Sequence, residues 1–109
     1  FEVSESLMDV VVGISGSAPA YVFMFIEALA DAGVREGMPR KKAYDFAAQA
    51  VMGSAKLMVD KGEHPGVLKD MVCSPGGTTI EAVKVLENRA FRGAVMDAVE
   101  ACVNRSREL

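Results

Sequence analysis

Ser17-Ala18-Pro19-Ala20-Tyr21-Val22-Phe23-Met24-Phe25-Ile26-Glu27 is the stretch whose reading decides the fold. Ser17 suits a helix N-cap, and Pro19 falls in the first turn, where its missing N–H costs nothing. From Tyr21 to Ile26 the residues are apolar on every side, and a helix that is greasy all round must be buried all round. A chain of 109 residues has little room to surround one helix by itself, so a partner subunit is the simplest cover for the extra face. The second half, Glu27-Ala28-Leu29-Ala30-Asp31-Ala32, returns to ordinary amphipathicity, and its alanines permit close packing. This helix is expected to run from about Ala18 to Glu36 and to stop at Gly37.

Working outward, the chain reads as helices separated by Gly and Pro. Upstream, Ser4-Glu5-Ser6 suits the cap of a short helix through Leu7, Met8, Val10 and Val11, which Gly13, Ser15, Gly16 and Ser17 should break. The Gly13–Ser17 stretch is not GxGxxG and follows no strand, so it reads as a tight interhelical joint rather than a nucleotide site. Downstream, Pro39 opens a third helix in the first-turn position, with Tyr44, Ala47, Ala48, Val51, Ala55 and Met58 on one stripe to about Val59. Gly53 inside it reads as a close helix contact, and Gly62 ends it. His64-Pro65 starts a short fourth helix, Ile80, Val83 and Leu86 mark a fifth, and Asn88-Arg89 loosens the chain. The last helix places Phe91, Val95, Ala98, Val99, Cys102 and Val103 on one stripe, with Arg105 and Arg107 favourably placed in its last turn. No alternating strand pattern survives. The expected fold is all-α, a bundle of about five to six helices in a single domain over residues 1–109.

Composition narrows the function. Half the residues are hydrophobic and a quarter charged, which is a globular balance. A net charge of −3, a pI near 5.1 and the absence of Trp argue against nucleic acid as a partner. One His and two widely spaced cysteines provide no zinc set and no other metal site, and Cys73 and Cys102 read as reduced thiols of an intracellular protein. The apolar run from Ala18 to Ile26 ends at Glu27, far short of the ~20 residues a membrane span needs, so no membrane partner is expected. No initiator Met and no signal peptide opens the chain, which therefore reads as a piece of a longer protein.

Chemistry concentrates in Ser74-Pro75-Gly76-Gly77-Thr78-Thr79, just before the helical pattern at Ile80. Amides at a helix start point outward, the helix dipole favours negative charge there, and glycines let a ligand approach the backbone. Ser74, Thr78 and Thr79 add hydroxyls. One hydroxyl suffices for a simple cap, and here there are three, so two readings stand side by side: a capped turn, or a cradle for a small anion. A long phosphate chain does not fit, because no Lys of the GxxxxGK[ST] type adjoins. Elsewhere His64 reads as structural, and Asp31, Asp45, Asp60, Asp70 and Asp97 form no acid–base pair. By itself the chain looks like a poor enzyme.

Several separated motifs, in order, carry a resemblance. Ser15-Gly16-Ser17-Ala18-Pro19-Ala20-Tyr21-Val22-Phe23, Glu27-Ala28-Leu29-Ala30-Asp31-Ala32-Gly33, Leu68-Lys69-Asp70-Met71-Val72 and Ser74-Pro75-Gly76-Gly77-Thr78-Thr79-Ile80 together resemble the C-terminal dimerisation domain of pyrroline-5-carboxylate reductases, over nearly the whole chain. The resemblance implies a helical domain like the C-terminal domain of 6-phosphogluconate dehydrogenase, interlocked with a twin subunit as a homodimer, with larger rings of dimers known in the family. It implies reduction of 1-pyrroline-5-carboxylate to L-proline in the cytoplasm. The hydride would come from NADPH or NADH on an N-terminal Rossmann domain that this chain lacks, so the chain alone should be inactive and holds no cofactor residue. It implies that Ser74 and the backbone of Gly77, Thr78 and Thr79 hold the substrate carboxylate, with Thr79 also hydrogen-bonding the imine nitrogen as the catalytic group. Two positions depart from the family pattern: Ala18 stands where Gly is common, and Cys73 where a small hydroxylic residue is common. The other classes left open are a non-catalytic helical oligomerisation module and a related imine-reducing dehydrogenase domain.

The enclosed-helix reading makes a direct prediction. Phe23→Asp places an unpaired charge in the covered face and abolishes folding or dimerisation; a folded, dimeric variant in sedimentation would show that the helix is not enclosed.

Overall fold

The computed structural model describes residues 2–109, and every regular element among them is helical. A 3₁₀ turn (Glu5–Leu7) leads into α1 (Met8–Val11) and a π-helical turn (Val12–Gly16), followed by α2 (Ala18–Arg35), α3 (Arg40–Lys61), α4 (Pro65–Val72), α5 (Thr78–Asn88) and α6 (Phe91–Glu108). The chain divides into two compact units, one formed by the segment through Tyr21 together with Ala82–Leu109, the other by Val22–Glu81.

In the first unit, the glycines after α1 do not break the helix as the sequence suggests. The helix widens into the π turn instead, closed by the Ser17 N–H donating to the Val12 carbonyl at 2.8 Å. The reason is the packing of α6. Gly13 is buried, and a Cβ there would stand 2.9 Å from Val103 Cγ2 and 3.1 Å from Val99 Cγ1. The tight interhelical joint expected at Gly13–Ser17 is therefore real, and of its two glycines only Gly13 makes it: Gly16 has open space around it. Polar contacts fix the crossing. The Ser106 hydroxyl donates to Asp9 at 2.5 Å, and the Arg107 Nε lies 4.0 Å from the same carboxylate.

Ser17 does not serve as the side-chain cap of α2. Its hydroxyl accepts from the Cys102 thiol at 3.3 Å, and the Ala20 N–H is met by the Ser17 backbone carbonyl at 3.1 Å. Cys102 is half-buried on the inner stripe of α6, and its hydrogen bond with the Tyr21 phenol, followed by desolvation, holds that phenol above its ordinary pKa. Ser4 does not cap either, since its hydroxyl pairs with that of Ser6 at 3.0 Å. The start of α6 contains a backbone exception: Ala90 adopts φ +57, a left-handed conformation where a Cβ is unfavourable.

In the second unit, α2 ends on a Schellman motif. Gly37, at φ +106, donates to the Val34 carbonyl at 3.0 Å, and Met38 donates to the Gly33 carbonyl at 2.9 Å. The chain then reverses through Pro39, which stands just before α3 rather than inside it and whose carbonyl accepts from Ala43 at 3.0 Å. The seam between the two helices is built from small residues. Ala30, Ala43 and Ala47 are buried, and a Cβ on Gly33 would approach Ala43 Cβ to 3.3 Å. Arg40 closes the end of the seam on Asp31 at 2.8 Å. Gly62, at φ +63, ends α3 as expected. Gly53 makes no close helix contact within the chain: a Cβ there would meet nothing within 4 Å.

Each unit has little interior. Among the described residues the buried hydrophobic ones are Ala30, Ala43, Ala47 and Val103, and no large side chain is fully buried. Phe23 is 64% exposed and Met24 67%, so the all-round apolar helix is not covered by its own chain. The expected cover must come from elsewhere. Because the π turn carries the helix through the glycines, the stretch Glu5–Arg35 contains an 18-residue window of mean hydropathy 1.6 and is long and apolar enough to cross a membrane, which the run Ala18–Ile26 is not. A span would not account for α3 and α4, however, where Phe46 and Met71 are also exposed and an open apolar groove of about 360 Å³ lies among Leu57, Met58, Pro65, Leu68 and Val72. A second protein surface accounts for all of these faces.

The joint at Gly13 yields a stability prediction. Gly13→Ala drives a Cβ into the stiff side chains of Val99 and Val103, so overpacking outweighs the gain in helix propensity. We expect a net loss of about 1–2 kcal/mol in urea unfolding at fixed protein concentration, with Gly16→Ala, in open space, showing no such loss.

Candidate functional site

α4 ends at Val72, and half-buried Cys73 carries the chain out of it. The next four residues form a type II turn. Pro75 fills the second position, which its ring favours; Gly76 fills the third at φ +68, which needs glycine; and the Gly77 N–H donates to the Ser74 carbonyl at 3.1 Å. α5 begins immediately afterwards at Thr78. The double glycine thus has two separate purposes. Gly76 supplies a backbone conformation. Gly77 supplies space: a Cβ there would stand 2.6 Å from Ser74 Oγ.

Of the residues picked out by sequence, Ser74 and Gly77 are brought into contact, and Thr78 and Thr79 form the first two positions of α5. Successive helix positions point about 100° apart, so the two threonines cannot aim at one atom together; Thr78 is exposed and Thr79 half-buried. The hydroxyls of Ser74, Thr78 and Thr79 make no hydrogen bond among the described residues, so none of them caps α5. The contrast with α4 is direct. There His64 is the cap, its Nδ1 accepting from the Gly66 N–H at 2.9 Å, in line with the structural role read for it.

One expected donor is otherwise engaged. The Gly77 amide is spent on the turn, so it is not free for a carboxylate, while the amides of Thr78 and Thr79 have no acceptor outside the helix among the described residues. The arrangement offers a Ser74 hydroxyl set against Gly77, two outward amides and the positive end of a helix dipole, which suits a small anion. Asp31, Asp45, Asp60 and Asp70 are spent on exposed pairs with Arg40, Lys41, Lys56 and Lys69, at 2.8, 3.4, 2.6 and 3.2 Å. Such pairs are solvated and make no acid–base dyad.

Fold and site together define a class: an all-helical module that needs a second protein surface and carries an uncapped helix start behind a rigid turn. Residues 5–109 match the family model described as pyrroline-5-carboxylate reductase dimerisation, and the chain belongs to that family. It is 65% identical over 107 residues to the pyrroline-5-carboxylate reductase of Escherichia coli, covering 98% of this chain and 40% of that protein. It is 55% identical over 108 residues to pyrroline-5-carboxylate reductase 2 of Bos taurus, covering 99% of this chain and 34% of that one. Among solved structures, 1-pyrroline-5-carboxylate reductase from Streptococcus pyogenes superposes with a TM-score of 0.97 at 38% identity, covering 100% of this chain and 42% of that chain. A Plasmodium falciparum pyrroline carboxylate reductase with NADP bound gives 0.95 at 39% identity, covering 99% and 44%. The chain therefore spans about 40% of the length of these relatives.

The turn can be tested independently of any ligand. Gly76→Ala forces a Cβ into φ +68 at a cost of about 1–2 kcal/mol, and the Gly77 amide should exchange its hydrogen faster as the turn bond to Ser74 loosens.

Proposed function

We propose that residues 1–109 are the dimerisation and substrate-binding domain of a pyrroline-5-carboxylate reductase, which reduces the C=N bond of 1-pyrroline-5-carboxylate to give L-proline. The observation that carries this reading is the family match over residues 5–109, in a chain whose α5 start is left uncapped beside three hydroxyls. NADPH or NADH, bound by an N-terminal Rossmann domain, supplies the hydride. The Gly13–Ser17 segment of this chain does not read as a pyrophosphate loop, because helix rather than strand precedes it and Gly13 is closed by Val99 and Val103.

This chain's share is to bind and to aim. The Ser74 hydroxyl and the amides of Thr78 and Thr79 hold the carboxylate, aided by the dipole of α5. Anchoring the carboxylate fixes which face of the five-membered ring meets the hydride donor. The half-buried Thr79 hydroxyl hydrogen-bonds the imine nitrogen and polarises the C=N bond. A threonine hydroxyl is a weak acid, so orientation and polarisation suit it better than full proton donation, and the imine nitrogen takes from water the proton that accompanies the hydride.

The exposed apolar surface of α2, α3 and α4 supports a homodimer in which a second copy supplies the missing interior, and rings of dimers extend the same reading. The protein would work in the cytoplasm.

Titration calorimetry with L-proline, together with imine-reduction assays of the full-length protein, tests the site. Ser74→Ala should weaken proline binding about tenfold, and Thr79→Ala should lower kcat/KM by about 10- to 100-fold with the fold intact. Equal heats for wild type and both variants would remove the carboxylate cradle and leave a helical oligomerisation module in its place.

A further inference from the structure

The absence of a side chain at Gly77 does more than allow a turn. Ser74 Oγ occupies the space that a Cβ at Gly77 would need, with the Ser74 backbone carbonyl also close, at 3.3 Å. The hydroxyl is thus seated against residue 77, which immediately precedes the first residue of α5. No hydrogen bond among the described residues holds it there. The Gly77 amide is already committed to the turn, so a role for this residue as a direct ligand is weakened.

We propose that Gly77 is a positioning residue: its missing Cβ admits the Ser74 hydroxyl into the rotamer that faces the substrate carboxylate. The inference rests on the reading of Ser74 as a carboxylate ligand. A Cβ at residue 77 approaches Ser74 Oγ to 2.6 Å, a separation that real Cβ contacts do not show, so one of the two must move. The serine hydroxyl is the free end of a one-torsion side chain and can swing to another staggered well at little cost. Gly77 is not among the positive-φ residues, so alanine is tolerated by the backbone there. The substitution therefore moves the hydroxyl and spares the fold. A residue that mattered only for folding would show the opposite pattern.

The experiment is a double-mutant cycle in the full-length protein, with wild type, Ser74→Ala, Gly77→Ala and the double variant. KM for 1-pyrroline-5-carboxylate, kcat, Kd for L-proline and Tm are measured for each. Gly77→Ala should raise KM and Kd by about tenfold, as Ser74→Ala does, with kcat and Tm close to wild type. The double variant should be no worse than either single one, because both changes remove the same hydroxyl contact. Multiplying effects in the double variant, or an unchanged KM and Kd in Gly77→Ala while Ser74→Ala raises them, overturns the proposal. If Ser74→Ala itself changes neither constant, the carboxylate reading has failed, and the Ser74 χ1 rotamer in Gly77→Ala, read from a crystal structure, still decides: a rotated hydroxyl upholds the steric control, and an unmoved one refutes it.

Discussion

Apolar surface that the chain cannot cover by itself is the constraint on which the rest of the structure depends. Half of the residues are hydrophobic, yet among the described residues those buried are three alanines and one valine. The helices meet along thin seams, Gly33 against Ala43 in one unit and Gly13 against Val99 and Val103 in the other. Seams of this kind bring backbones close and bury little area, so they fix geometry more than they stabilise it. The larger share of stability has to come from faces that look outward here, which is what membership of a dimerisation family means in energetic terms.

That arrangement also explains where the candidate site lies. A protein with little interior cannot hold a buried pocket of its own, and the chemistry-bearing residues sit instead on a turn between two helices. Precision comes from backbone rules rather than from packing. Pro75 and the left-handed Gly76 lock the turn, the bond from Gly77 to Ser74 closes it, and α5 starts with its amides pointing outward. Three hydroxyls that satisfy nothing nearby are what distinguish this helix start from that of α4, where the His64 ring caps the first turn.

Much of this was legible in the chain because it depends on local rules. Gly37 and Gly62 announce helix ends through left-handed backbone, His64-Pro65 marks a helix start, and the all-round apolar run at Tyr21–Ile26 demands cover. The failures share one cause, competition from a distant neighbour. Ser17 has the composition of a cap, but Cys102, 85 residues away in sequence, takes its hydroxyl. The glycines after α1 have the composition of a break, but α6 needs a flat surface there and the helix runs on through a π turn. Asp9 gave no signal of its own, and its partners Ser106 and Arg107 lie at the other end of the chain. Gly53 had no such neighbour, and its expected contact is not found within the chain.

The sequence by itself determined the helical class, the ends of most helices, the need for a partner surface and the residues of the glycine-rich turn, because each follows from period, capping chemistry or composition over a few residues. Tertiary structure alone decided which glycine is a joint and which has only space around it, which serine meets a thiol and which faces a glycine, and that Gly77 spends its amide on closing the turn while leaving room for a hydroxyl. Those outcomes depend on distances between atoms that the order of residues does not contain, and a separation of 2.6 Å between a hydroxyl and an absent Cβ exists only once the turn has closed.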